Sequence, residues 1–152
     1  MAEFFGTPGY PTLFLVSFLA ASLLPLGSEW LLTAMLCQGF PAWPVVAVAT
    51  TGNYLGACTT YLVGIHGGPL LTGKVLRIDA PSRQRAENLF RRYGVWSLLF
   101  SWLPLIGDPL CLVGGVFRVP FPHFSMLVII GKLGRYATLA ALIAGGRQAL
   151  GL

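Results

Sequence analysis

The chain has 152 residues, 55% hydrophobic and only 10% charged, with a formal net charge of +5 and a mean hydropathy of +0.73. A soluble domain of this size carries about 25% charge, so the composition excludes an ordinary soluble enzyme and predicts one integral membrane domain over residues 1–152. The positive balance does not indicate nucleic acid. Lysine and arginine are absent before Lys74 and then cluster, an asymmetry that fits membrane orientation.

The chain begins Met1-Ala2-Glu3-Phe4-Phe5 with no basic n-region. No cleaved signal peptide is expected, and the first apolar run stays in the mature protein. Residues 10–24 are apolar but only about 22 Å long as a helix, short of the ~30 Å hydrocarbon core. Leu23-Leu24-Pro25-Leu26-Gly27-Ser28-Glu29 breaks the run, and residues 29–37 are shorter still. Two half-length helices around a break predict a re-entrant hairpin with Glu29 at its tip. The alternative is one span from Leu13 to Leu36, kinked at Pro25. A carboxylate at that depth costs about 2.5–3.5 kcal/mol on insertion scales, so it faces a cavity or a cation.

Gln38-Gly39-Phe40-Pro41 reads as a turn and residues 44–65 as a transmembrane span. Within the span Gly52, Gly56, Thr60 and Gly64 recur every fourth residue. Such a stripe either lets another backbone approach closely or lines a substrate path; Asn53 and Tyr61 are the polar groups beside it. Residues 66–94 are the one extensive polar segment, holding Lys74, Arg77, Arg83, Arg85, Arg91 and Arg92. Residues 68–75 nearly spell a phosphate-binding loop, but Val75 stands where Ser or Thr would reach magnesium, so no nucleotide site is expected. From Pro81, the spacing of Ala86, Leu89, Phe90 and Tyr93 makes one apolar helical face, with Gly94 as the stop. This predicts an interfacial amphipathic helix beside anionic headgroups, on the cytoplasmic side. Cys37, Cys58 and Cys111 form no CxxC pair and read as buried apolar residues. No metal or cofactor is implied.

Residues 95–119 repeat the first pattern: a half-run, the break Leu103-Pro104-Leu105-Ile106-Gly107-Asp108-Pro109, and a second half-run. The last span covers residues 123–144 and carries Gly131-Lys132-Leu133-Gly134-Arg135-Tyr136. Lys132 and Arg135 are three apart and share a helix face. Either they face an internal site, or a shifted span places them at the interface. Pro25-Leu-Gly-Ser-Glu29 matches Pro104-Leu-Ile-Gly-Asp108, and Gly52-Asn53 matches Gly131-Lys132. Repeat 1 is then residues 10–65 and repeat 2 residues 95–146. One span separates the hairpins, so they enter from opposite faces. The expected fold is an all-α membrane protein: an inverted repeat of re-entrant helical hairpin plus transmembrane helix, with a cytoplasmic amphipathic helix over 66–94 between the halves.

These residues resemble a known family. The stretch from Ser17 to Glu29, Gly52-Asn53-Tyr54-Leu55-Gly56, Phe90-Arg91-Arg92-Tyr93-Gly94, Gly107-Asp108-Pro109, Gly114-Gly115 and Gly131-Lys132-xx-Arg135-Tyr136 are similar to the YqaA-like branch of the DedA superfamily, also called VTT-domain or SNARE-associated proteins. The likeness covers nearly the whole chain. It implies a bacterial-type inner (plasma) membrane protein of membrane homeostasis, with relatives linked to undecaprenyl-phosphate translocation, lipid scrambling and proton coupling. Glu29 matches the hairpin-tip glutamate of that family. The chain departs at the second break, where better-studied members carry arginines flanking the proline and this one has Ser101-Trp102 and Asp108.

Three functions are weighed on this reading. The first is a small transporter or flippase for an anionic lipid such as a polyprenyl phosphate or phospholipid. In it Lys132 and Arg135 bind the headgroup with Asn53 beside them, and Glu29 and Asp108 exchange protons. The second is a non-transporting scaffold or homeostasis protein whose buried charges cancel pairwise. An intramembrane enzyme is not expected, because His66 and His123 lack a clustered nucleophile. Homo-oligomerisation is compatible with each.

Overall fold

The structure is a computed structural model describing residues 9–22, 27–67, 80–103 and 106–151. Pro25, Pro104, Lys74, Arg77 and the loop over 68–75 lie outside the described residues. Every element described is helical: α1 (Tyr10–Ser22), α2 (Glu29–Cys37), α3 (Ala42–His66), α4 (Ala80–Tyr93), a 3₁₀ segment (Gly94–Trp102), α5 (Gly107–Val116) and α6 (Phe121–Ala149). Among the described residues, α6 is the one helix both long and apolar enough to cross a membrane. At 25 residues α3 is about 37 Å long, but Thr50, Thr51, Asn53, Thr59 and Thr60 dilute its hydropathy.

Gly27 and Ser28 lie outside any helix, so α1 does not run on into α2. The chain doubles back, for the Tyr10 ring meets that of Phe40 edge-on at 5.7 Å. Leu13 shares a core with Leu32 and Met35 of α2, Val45 and Ala49 of α3, and Tyr136 and Ala140 of α6. A second core joins Ala57 and Tyr61 of α3 to Leu98, Leu110 and Val113 and to Phe124 and Val128 of α6. The pairing of α3 with α6 runs in opposite directions. Tyr61 donates to the Val119 carbonyl at 2.5 Å, Tyr54 meets Ser125 at 2.7 Å, and Asn53 meets Lys132. The two cores therefore occupy opposite ends of this antiparallel pair.

The small-residue stripe on α3 is a packing surface. A Cβ on Gly52 would lie 2.6 Å from the Phe14 carbonyl oxygen of α1, and one on Gly56 would strike that of Phe18. Thr60 donates to the Ala21 carbonyl at 3.1 Å. Gly64 lies against Leu112 and Gly115 of α5. Backbone fills the groove from end to end, which rules out the substrate path considered along it.

The same backbone turn closes α2 and α5. Past the end of α2, Gly39 takes φ 92°, with Gly39 N–H bonded to Leu36 O and Phe40 N–H to Met35 O. Past the end of α5, Arg118 takes φ 51°, with Arg118 N–H bonded to Gly115 O and Val119 N–H to Gly114 O. Both are the left-handed helix stop with its paired backward bonds, 79 residues apart (118 less 39). Pro41 and Pro120, the same interval apart, then lead into α3 and α6 at φ −63° and −54°. Arginine in left-handed backbone costs about 1–2 kcal/mol, offset by a cation's benefit at a helix C-terminus. Arg118→Gly is expected to raise stability by about 0.5–1 kcal/mol, read from unfolding in detergent.

Two expectations are corrected. The apolar face of α4 is turned inward: Ala86 is fully buried, Leu89 and Phe90 pack on the second core, and Phe90 stacks on Phe117 at 4.7 Å. Those three positions are covered by protein, whereas Tyr93, the fourth residue of the expected face, is exposed. Cys111 is buried as expected and Cys58 half-buried, but Cys37 is exposed. The inward stripe of α2 is Leu31, Leu32, Met35 and Leu36, and position 37 falls beyond it.

Candidate functional site

Between the two cores lies a polar cluster. Both sequence breaks reach it, because each opens a short helix in its first turn with a carboxylate: Glu29 in α2 and Asp108 in α5. Facing them is the middle of α6. Arg135 forms an ion pair with Glu29, and Lys132 Nζ lies 3.8 Å from Asp108 Oδ1. Lys132 also donates to Asn53 Oδ1, and Asn53 Nδ2 donates to the Ser17 carbonyl at 3.2 Å. The five residues expected at the site from sequence thus fall into two contact sets, Glu29 with Arg135 and Asp108 with Lys132 and Asn53. Within the helix packing the Lys132 side chain is buried and that of Arg135 mostly so.

Their surroundings differ. The Lys132 side chain is 2% exposed and that of Asp108 40%. The ammonium is thus held deep by Asn53, while its acid partner lies beyond hydrogen-bond length on the open side. Asn53 uses its amide group on α1 and its oxygen on Lys132, so it orients the lysine and joins three helices. Gly131, one residue earlier, lets α6 close on the 3₁₀ segment: a Cβ there would sit 2.9 Å from the Leu99 carbonyl oxygen and 3.1 Å from Ser101 Oγ. Chemically, the cluster offers two fixed cations to an anion and two carboxylates that compete for them.

Sequence reasoning did not single out two contributors. Ser28 Oγ and the Tyr136 hydroxyl are 2.6 Å apart. Each adjoins a residue of the Glu29–Arg135 pair, and that adjacency was the available signal. Arg147 at the far end of α6 donates to the Leu36 carbonyl at 2.8 Å. There it adds a second, charged donor to a carbonyl in the last turn of α2 that also accepts from Gly39 N–H.

Comparison with known proteins supplies the lineage. The VTT domain pattern matches residues 7–145. The chain is 38% identical over 136 residues to the inner membrane protein YqaA of Escherichia coli K12, covering 89% of this chain and 91% of the relative. It is 33% identical over 149 residues to an uncharacterized protein of Haemophilus influenzae (93% and 91% covered). An uncharacterized protein of Methanocaldococcus jannaschii shares 25% over 129 residues, covering 84% of this chain and 79% of its own. No solved structure matches at a significant level. With a family match over almost its full length and YqaA so similar, the chain belongs to the VTT-domain (DedA) family of membrane proteins.

Proposed function

We propose that the protein is a small secondary transporter or flippase for an anionic lipid, with the headgroup phosphate bound by Lys132 and Arg135. The observation that carries this reading is the meeting of both break carboxylates with both cations at the middle of α6. A phosphate competes with Glu29 and Asp108 for the same two cations. Protonating a carboxylate frees its cation, so proton and phosphate favour each other's binding, and by linkage the benefit is reciprocal. Dissociation of the proton returns the carboxylate to its cation and displaces the lipid.

The architecture proposed with it is an inverted repeat, two re-entrant hairpins each followed by a span of α3 or α6. Its support is the antiparallel pairing of α3 and α6, the cores at opposite ends, and the matched turns at Gly39 and Arg118. Such folds place substrate at the repeat interface near mid-membrane. Residues 66–94 are assigned to the cytoplasm because the basic residues cluster there. An impermeant thiol reagent added to intact cells should then label native Cys37, which is exposed at the opposite end. A cysteine replacing exposed Gln84 on α4, in a chain without native cysteines, should stay unlabelled. The reverse pattern would invert the orientation.

The activity itself is tested in proteoliposomes that report movement of an anionic phospholipid between leaflets, with and without a proton gradient. Glu29→Gln together with Arg135→Gln removes one ion pair without stranding a charge. The wild-type protein should show gradient-dependent flux and the double variant should fold but lose it. Full flux in the folded double variant would sink the transport role of this pair. The scaffold reading predicts no flux in either protein.

A further inference from the structure

Ser28 stands where a serine ordinarily caps the helix that follows, its oxygen accepting from the amides two and three residues on. Here those amides belong to Trp30 and Leu31. The cap is not made: Ser28 has φ −76° and ψ 0° and no side-chain bond to α2. Its hydroxyl is turned instead to Tyr136 at 2.6 Å, and both residues are 1% exposed. A capping residue takes extended backbone. To reach its own helix, therefore, Ser28 must swing ψ toward the extended region, turning Gly27 away from α2. One hydroxyl has two mutually exclusive partners on either side of one backbone rotation.

We propose that Ser28 is the hinge of the first break and Tyr136 its latch, a positioning residue acting through Ser28 to hold Glu29 against Arg135. Unlatching loses one buried hydrogen bond and regains one helix cap, contributions of similar size. The two states are therefore close in free energy, as a cycling site requires. The device belongs to one half only. At the position in the second half that corresponds to Ser28 stands Gly107, which has no side chain to latch or cap. The hinge rests on geometry; its use in translocation rests on the transport reading above.

Hydrogen–deuterium exchange of the peptide covering residues 29–32, in the full chain in nanodiscs, tests it. Tyr136→Phe keeps the buried ring and releases the Ser28 hydroxyl. Exchange at Trp30 and Leu31 should slow about five-fold, the factor a typical helix cap is worth, and adding Ser28→Ala should abolish the slowing. If Tyr136 merely supports the packing, its replacement speeds exchange or leaves it unchanged, irrespective of Ser28, and either result overturns the hinge. The readout needs no lipid movement, so failure of the transport reading is separable. Slowed exchange with unaltered flux would keep the hinge and remove its part in transport.

Discussion

Asp108→Asn is expected to lower folding stability by about 3 kcal/mol, and Lys132→Met by only about 1 kcal/mol. The asymmetry follows from burial. Losing one partner of a buried ion pair costs about 3–5 kcal/mol because a charge stays behind without compensation. In Asp108→Asn the stranded charge is Lys132, 2% exposed, with the neutral Asn53 oxygen as its remaining partner; that oxygen keeps the cost near the low end. In Lys132→Met the stranded charge is Asp108, whose side chain is 40% exposed and can shed its charge by taking up a proton. What remains is the Asn53 oxygen deprived of its donor, a loss of about 1 kcal/mol. The double variant should recover most of the stability. Unfolding in detergent measures all three, and equal single costs or no recovery would remove the proposed pairing. Flux separates a working pair from a structural one: a pair that serves transport, Asp108 by carrying protons or Lys132 by binding the headgroup, leaves the stable double variant inactive, whereas a purely structural pair leaves it active.

Gly115→Val should be more damaging, by over 3 kcal/mol, beyond the usual 1–3 kcal/mol of overpacking. The reason is what stands in the way. A Cβ at Gly115 would lie 3.0 Å from the Gly64 Cα and strike the Tyr61 carbonyl oxygen, all of it main chain of α3. Flexible side chains can yield; two helix backbones in contact must separate along their length. Gly134→Ala is the matched control. Its Cβ meets nothing within 4 Å, so relief of glycine's entropy cost should leave the protein as stable or up to about 1 kcal/mol more so. The comparison is read from yield of folded protein and thermal unfolding.

Much of this was legible in residue pattern. Charge is so costly at membrane depth that Glu29, Asp108, Lys132 and Arg135 stood out against their apolar surroundings, and the Pro/Gly breaks bounded the short helices. Spacing alone could not say which acid meets which cation, because that depends on how far each short helix reaches along α6. Nor could it say what the α3 glycines touch, since one stripe suits a neighbouring helix or an open groove. The inward turn of α4 was hidden for a related reason. An amphipathic face records that something apolar covers it, and Phe117 does so as well as lipid. Ser28 and Tyr136 escaped notice because hydroxyls carry no charge and serine before a short helix already has an ordinary use as a cap.

The mismatch between Gly39 and Arg118 bears on how the chain acquires a single orientation during synthesis. Two halves with the same turns and proline-led spans present similar signals at both ends, and small proteins of that kind can insert either way up. At one of the matched turns the backbone accepts an arginine despite left-handed strain of about 1–2 kcal/mol. Because Phe117 stacks on Phe90, this arginine falls at the end where α4 already brings Arg83, Arg85, Arg91 and Arg92. At the other end, among the described residues, only Arg147 is basic, and its guanidinium is tied to Leu36. On the proposed inverted-repeat architecture, a small loss of conformational ease in the second half would reinforce the topogenic bias that tells the two faces apart.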